Sequence, residues 1–398
     1  MVINVGKDTT LKARIGWQGL TTAEYKDIGD YLLVTGTDFK DGFVDWDSCH
    51  FVDKIRYDQD RNIQLKNCDI VITKDGTIGK VGYIENLKLP TTLNSGVFVI
   101  RPKKGKHIDT KYLYYIFTSK IFEEFLSRLT AGSTINHLYQ KDFVNFEFEI
   151  PDEEDKQKAI AKALSDTDEL IDSLQNLIEK KENIKTSTMQ QLLTGEKRLD
   201  GFIGKWQEKT LSDISNISRG ASPRPIEDPK WFNRNSDIGW VRISDISKVK
   251  KYLFETVQKL SEEGVSQSRF VKSDNLIMSI CATIGKPIIT KKDVCIHDGF
   301  VVFNSLKIEQ DFLYYFLIFI EDNWSQSGQT GSQMNLNTEL INSTTIKLPK
   351  TKEEQKAIAT ILSDMDNEIE NLKSKLKKTK AIKETMMDEL LTGNTRLI

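Results

Sequence analysis

The sequence predicts an α+β protein: two similar mixed α/β globules separated by two long antiparallel coiled-coil helices, related by a pseudo-twofold internal duplication. Three observations lead there. The stretch "KQKAIAKALSD" (Lys156–Asp166) returns almost unchanged as "EQKAIATILSD" (Glu354–Asp364). Residues 150–199 align with 348–397 without a gap at a constant offset of 198, and roughly 22 of those 50 positions are identical. Each copy also carries apolar residues alternately four and three apart, the spacing of a coiled-coil seam. A period this long is too large for a solenoid and signals doubling of a whole domain with its helix.

The elements follow in chain order. Residues 1–150 form the first globule, with strands expected at "DIVIT" (Asp69–Thr73), "GVFVI" (Gly96–Ile100) and "FVNFEFEI" (Phe143–Ile150), and an aromatic helix beginning near Tyr112. Residues 151–199 form the first long helix, whose seam is Ile160, Leu164, Thr167, Ile171, Leu174 and Ile178. Pro151 precedes it, Asp152 is placed to cap it, and Gly195 stands where a helix ends in a left-handed turn. Residues 200–348 form the second globule, with a strand at "GFVVF" (Gly299–Phe303) and a helix near Phe312. Residues 349–398 form the second long helix, with a capping-box signature "TKEE" (Thr351–Glu354) and a terminal Gly393. Its seam is Ile358, Leu362, Met365, Ile369, Leu372 and Leu376. After Leu376 the heptad slips to Thr379, Ile382, Met386 and Leu390, so another surface is expected to take over there. About 40 residues at 1.5 Å each make a rod of roughly 60 Å. Fainter echoes join the globules in the same order: "TIGK" at Thr77–Lys80 and Thr283–Lys286, "LYY" at Leu113–Tyr115 and Leu313–Tyr315, and "GSTIN" (Gly132–Asn136) beside "GSQMN" (Gly331–Asn335).

Composition excludes several classes. The longest apolar run, Phe312–Ile320, is half a membrane span, and the amino terminus lacks a signal peptide's basic start and apolar centre. Four scattered cysteines read as free thiols in a reducing cytoplasm, so a soluble cytoplasmic protein is expected. "DGTIGKV" (Asp75–Val81) has two residues between its glycines where a phosphate loop needs four, and reads as a turn. The chain has no Pro-Pro pair for a methyltransferase strand end. The acids of "PDEEDK" (Pro151–Lys156) crowd a first helical turn, where the macrodipole accounts for them. Cys49-His50 and Cys295-Ile296-His297 lack further ligands at familiar metal-site spacing. No catalytic or metal site is predicted.

The twice-written frame of proline, "QKAIA", "LSD", amphipathic helix, "LLTG" and "RL", alternating with two divergent globules, resembles the specificity subunit (HsdS) of type I restriction–modification enzymes. The resemblance spans essentially the whole chain, and the order of the parts is its specific element. The second globule opens in the family's manner with "WQEKTLSDISNISRGASPRP" (Trp206–Pro225), whereas the first begins more abruptly. The resemblance implies that the globules are target recognition domains, each reading one half of a bipartite duplex DNA site, and that this chain performs no catalysis. It places S-adenosylmethionine with two modification (HsdM) subunits, and ATP and Mg with restriction (HsdR) subunits. A stiff helix pair suits such a site, because major-groove faces recur about every 34 Å. Two other classes stay open: a protein-binding coiled-coil scaffold without DNA affinity, and a self-sufficient enzyme that would methylate or cleave alone.

Net charge is −2 and each globule is balanced, with 20 basic and 20 acidic side chains in residues 1–150 and 18 of each in 200–348. DNA contact must therefore come from local clusters. "RPKKGKH" (Arg101–His107) offers Arg101, Lys103 and Lys104; a second stretch with Trp231 and Trp240 offers Arg219, Arg224, Arg234, Arg242 and Lys248. Lys80 and Lys286 close the two "TIGK" turns, and Asn136, Gln333 and Asn335 are amides suited to adenine edges. Each of these reads equally as a solvated charge or a turn cap.

Overall fold

Strand side chains alternate between faces, and in both globules both faces are apolar. Along Ile70–Thr73, Ile70 and Ile72 join Phe98 and Ile100 in one core, while Val71 joins Val97 and Val99 in another. In the second globule Leu276, Met278, Val301 and Phe303 share one core, and Ile277 and Val302 share the opposite one. Each central sheet is thus sandwiched between helices and a smaller sheet. The computed structural model describes residues 1–40, 42–130, 137–247, 249–322, 324 and 336–395.

The chain forms two compact units, Met1–Gln175 with Ser374–Ile398, and Asn176–Lys373. The long helices Glu154–Thr194 and Lys352–Leu391 are each divided between them. In the first unit a six-stranded sheet runs in the order Thr9–Ala13, Val97–Pro102, Ile70–Thr73, Val81–Tyr83, Phe43–Val44, Phe39–Lys40. A three-stranded sheet of His50–Val52, Tyr31–Val34 and Thr91–Leu93 covers its far face. In the second unit the order is Asn216–Arg219, Phe300–Asn304, Leu276–Ser279, Pro287–Thr290, Tyr252–Leu253. There the covering sheet has four strands, with Gly239–Val241 parallel to Val294–Ile296.

The helix stripes are completed inside each unit by the other copy's helix. Ile160, Ala161 and Leu164 of the first long helix pack on the first globule's core beside Leu390, Leu391, Met386 and Met387 of the second. In the second unit Ile358, Ala359 and Leu362 pack beside Met189, Leu192 and Leu193. The surface that takes over after the heptad slip is therefore a globule core. Ile171, Leu174, Ile178 and Ile369 are also buried, whereas Met365, Leu372 and Leu376 are half-buried. The segments run antiparallel: Glu182 pairs with Lys373 at 2.5 Å, and Lys185, further along, pairs back with Asp366 at 2.5 Å.

Repeated polar letters do the same work twice. Tyr115 Oη donates to Asp168 Oδ2 at 2.8 Å, and Lys383 from the other helix meets Asp168 Oδ1 at 2.5 Å. Tyr315 donates to Asp366 at 2.8 Å, and Lys185 meets the same carboxylate at 2.5 Å. Burial first, then the carboxylate, drives both phenols far above their usual pKa and keeps them donors. The glutamine of "QKAIA" is buried at each helix start. Gln157 donates to Pro151 O at 2.8 Å and accepts from Asp109 N at 2.9 Å; Gln355 donates to Pro349 O at 2.8 Å and accepts from Glu309 N at 2.9 Å.

Local expectations are corrected in three places. Only Glu147–Glu149 of "FVNFEFEI" is strand; Phe143 ends a helical turn because it and Phe146 are drawn into a cluster with Phe117, Phe122 and Phe125. Asp152 does not cap the first helix, since its carboxylate pairs with the Met1 amine at 2.5 Å. The capping box is half made: Thr351 accepts from Glu354 N at 3.4 Å, but the Glu354 carboxylate turns to Arg198 at 2.6 Å. Gly195 and Gly393 do take left-handed φ of 77° and 76°.

Because Leu164 and Leu362 are wholly buried where helix, sheet and second helix meet, Leu164→Ala and Leu362→Ala should each cost roughly 2–5 kcal/mol. Urea unfolding followed by circular dichroism checks this; Leu170→Ala, at an exposed position, should change stability by less than about 1 kcal/mol.

Candidate nucleic-acid interface

The strand Asn216–Arg219 ends at Gly220, where a Cβ would lie 2.0 Å from the His297 carbonyl oxygen. Only glycine allows that close passage, and it sets the following loop against the turn that carries His297 and Asp298. Asp298 holds the loop from several sides. Its carbonyl accepts from Arg219 Nε at 2.8 Å, and its carboxylate accepts from Ser222 Oγ at 2.9 Å and Arg224 Nη2 at 3.3 Å. Burial pushes the Asp298 carboxyl up, but the Ser222 hydroxyl, its own backbone N–H and Arg224 together hold it below the usual range. It is an anion at neutral pH.

His297 lies between Phe300, edge-on at 4.8 Å, and Trp240 at 6.0 Å. Its Nδ1 accepts from Gly299 N at 2.9 Å, which leaves the proton on Nε2. Burial lowers its pKa, Asp298 opposes that, and Arg242 adds to it. Trp240, His297 and Asp298 line an open cavity of about 390 Å³ with Ser222, Arg224, Arg242 and Ser244 at its walls. Arg224 thus meets the Asp298 carboxylate and Arg219 its carbonyl, while Arg242 lines the same cavity as Arg224, in a globule whose total charge is balanced. Trp231 and Trp240 belong to the core, 6% and 0% exposed.

The remaining candidates are dispersed. Arg234 is exposed and has no partner among the described residues, while Lys286 donates to Ile246 O at 2.7 Å. In the first unit Arg101 grips Asp69 with two bonds of 2.6 Å and adds the Asn62 and Gln64 carbonyls, so it ties strands together. Lys103 donates to the Gly6 and Lys7 carbonyls at 2.9 and 2.8 Å. Lys80 and Lys104 are exposed without a partner among the described residues. Asn136, Lys248, Gln333 and Asn335 lie outside the described residues. The residues that sequence reasoning missed are Ser222, His297 and Asp298. His297 and Asp298 lie in "CIHDGF", of which Cys295-Ile296-His297 was weighed as a metal half-site; among the described residues no group of three His, Cys, Asp or Glu is placed to hold a metal.

Comparison with known proteins now bears on this arrangement. The model of the type I restriction modification DNA specificity domain matches the chain twice, over residues 20–183 and 203–380. This chain belongs to the type I restriction–modification specificity family. The MjaVIII specificity subunit of Methanocaldococcus jannaschii is 28% identical over 369 residues, covering 85% of this chain and 81% of that protein. The MjaX specificity subunit of the same organism, a putative one, is 26% identical over 405 residues, covering 95% and 90%. Among solved structures, the type I S subunit from M. genitalium superposes with a TM-score of 0.62 at 16% identity, covering 98% of this chain and 96% of that one. The HsdS subunit from Thermoanaerobacter tengcongensis gives 0.52 at 15% identity, covering 99% and 97%.

In this specificity chain the two globules are target recognition domains, and the Asp298 turn holds the loop that carries Arg219 and Arg224. No helix among the described residues is long and apolar enough to cross a membrane.

The His297 shift sets a pH dependence. An imidazole in the unfolded chain titrates near pH 6.5, and the folded one lower, so the unfolded state takes up a proton first as pH falls. The stability that the neutral imidazole contributes is whole above about pH 7 and declines as pH falls through about 6.5 towards the folded pKa. His297→Gln should flatten that decline in urea midpoints measured at about pH 7.5 and 5.5; an unaltered slope would refute the assignment.

Proposed function

We propose that this chain is the DNA-reading, non-catalytic subunit of a type I restriction–modification complex, each globule addressing one half of a bipartite duplex target. The helix pair sets the gap between the half-sites and docks two modification (HsdM) subunits, with restriction (HsdR) subunits joining in the full complex. S-adenosylmethionine, ATP and Mg act in those partners. The observation that carries the reading is the doubled unit: two divergent globules, each seated on the same antiparallel helix pairing through the same Tyr–Asp–Lys bridge. Divergent readers on a repeated mount suit a target with two unlike halves. The Arg219, Arg224 and Arg242 cluster supplies local positive field for phosphate or guanine edges within a balanced domain.

Replacing residues 1–150 with the corresponding domain of a relative should change one half-site and leave the other intact, read from the sequence context of methylated adenines made with HsdM. Simultaneous change of both halves would overturn the assignment. A seven-residue in-register insertion in both helices should lengthen the preferred gap in a randomised-spacer selection; an unchanged gap defeats the ruler. Arg224→Ala and Arg242→Ala should each lower the slope of log affinity against log salt by about 1 if the side chain meets a phosphate, while a base contact costs about 1–3 kcal/mol at one target position.

A further inference from the structure

Strand pairing fixes which residues of the two units correspond. Thr73 Oγ1 donates to Thr77 O at 2.6 Å and Ser279 Oγ donates to Thr283 O, each at the first letter of "TIGK". Thr73 pairs with Val97 and Ser279 with Phe300, so Phe98 matches Val301. Phe98 in turn pairs with Ala13, and Val301 with Arg219. Residues 14–18 of the first unit therefore stand where 220–224 stand in the second, and Asn94 and Ser95 stand where His297 and Asp298 do.

In both units this turn holds the loop, by different chemistry. In the first, Asn94 Oδ1 accepts from Leu20 N at 3.1 Å and Asn94 Nδ2 donates to Tyr25 Oη at 2.6 Å. Gln18 N donates to Ile15 O at 2.8 Å and Gly19 N to Gly16 O at 3.0 Å, closing a 3-10 turn over Gly16–Gln18. A Cβ on Gly19 would lie 3.0 Å from Ser95 Oγ, so the loop is seated against that turn. Arg14, which replaces Gly220, is 1% exposed and faces inward: its Nε donates to Leu93 O at 2.8 Å and its Nη2 to Thr92 Oγ1 at 3.1 Å. With Arg14 engaged, residues 15–23 carry no charge. What the loop presents is Trp17, 81% exposed, and Ile15, 52% exposed. Glu24, the first acid after the loop, accepts from Arg56 Nε at 2.7 Å, and Asp75, 3.7 Å from where a Cβ on Gly96 would lie, pairs with His137. Both of these acids are thus engaged.

We propose that the loop 15–19 is the first unit's counterpart of the loop held at Asp298, and that Trp17 is its contact with duplex DNA, an apolar one made to bases of the first half-site. This contact rests on the recognition function proposed above. A loop without a cation contributes nothing to counterion release, so phosphate is not what it meets. An indole instead offers a large, rigid apolar face that loses little conformational entropy on contact. The corresponding loop of the second unit carries Arg219 and Arg224. The two globules therefore address their halves by unlike chemistry, one apolar and one charged.

Trp17→Ala and Trp17→Phe in the full chain, assembled with HsdM, test this on duplex DNA whose two half-sites have been read from methylated adenines. Trp17→Ala should weaken binding to that duplex by about 10-fold or more, the scale of one mismatched base pair, and Trp17→Phe should keep most of the affinity. The slope of log affinity against log salt should stay within about 0.5 of the unsubstituted complex, because no phosphate contact is lost. On a duplex with the first half-site scrambled, the unsubstituted and Trp17→Ala complexes should bind alike. A changed salt slope, or the same loss on the scrambled duplex, overturns the proposal. If the unsubstituted complex does not bind duplex DNA, the recognition function falls and takes this contact with it. If it binds and Trp17→Ala binds the intact target equally well, only the Trp17 contact falls.

Discussion

An amphipathic helix cannot leave its apolar stripe in water, and here the stripe is longer than the globule beside it. Fully burying each Leu or Ile contributes roughly 1.5–3 kcal/mol, so coverage of the whole stripe decides whether the helix stands. The globules cover only the starts, at Ile160 to Leu164 and Ile358 to Leu362. The final turns of the other helix need a globule too: Leu390 and Leu391 find it in the first unit, Leu192 and Leu193 in the second. Each unit therefore holds part of both copies.

Polar bridges give this burial a direction and a register. An apolar stripe alone tolerates a slip of one heptad, because Leu against Ile differs little from Leu against Leu. A lysine aimed at a carboxylate that already accepts from a buried tyrosine does not tolerate it, since slipping would strand three polar groups in a half-buried seam. Lys383 with Asp168 and Tyr115, and Lys185 with Asp366 and Tyr315, fix the alignment in the two units separately. The buried Gln157 and Gln355 join each helix start to its own globule through backbone groups. These shared letters of the repeat are the parts that mount a globule on the helices, which leaves the loops free to diverge.

The charged side chains follow a different logic. Several cations prominent in the sequence are engaged within the fold: Arg101 by Asp69, Lys103 by two carbonyls, and Lys286 by Ile246. Arg219 and Arg224 meet at Asp298 because Gly220 lets the chain pass close to His297 and Asp298 then pins the loop.

Much of the architecture was legible beforehand, and for a physical reason. Helix periodicity, helix-ending glycines and a repeated frame are local properties, written within a turn or two of the chain, so Glu154–Thr194 and Lys352–Leu391 could be read directly. The strands at Ile70–Thr73 and Phe300–Asn304 were legible for the same reason, since burial on both faces leaves an unbroken apolar run. By contrast, the fates of Phe143, Asp152 and the Glu354 carboxylate were set by partners far along the chain: an aromatic cluster, the Met1 amine and Arg198. The meeting of Arg219 and Arg224 with Asp298 likewise joins residues up to 79 positions apart. The sequence alone determined which segments are helix and strand and that the plan is doubled, because those rest on short-range spacing. Only the tertiary structure decided which charges are engaged internally and which stay exposed, because a side chain's partner depends on where distant backbone brings a second charge.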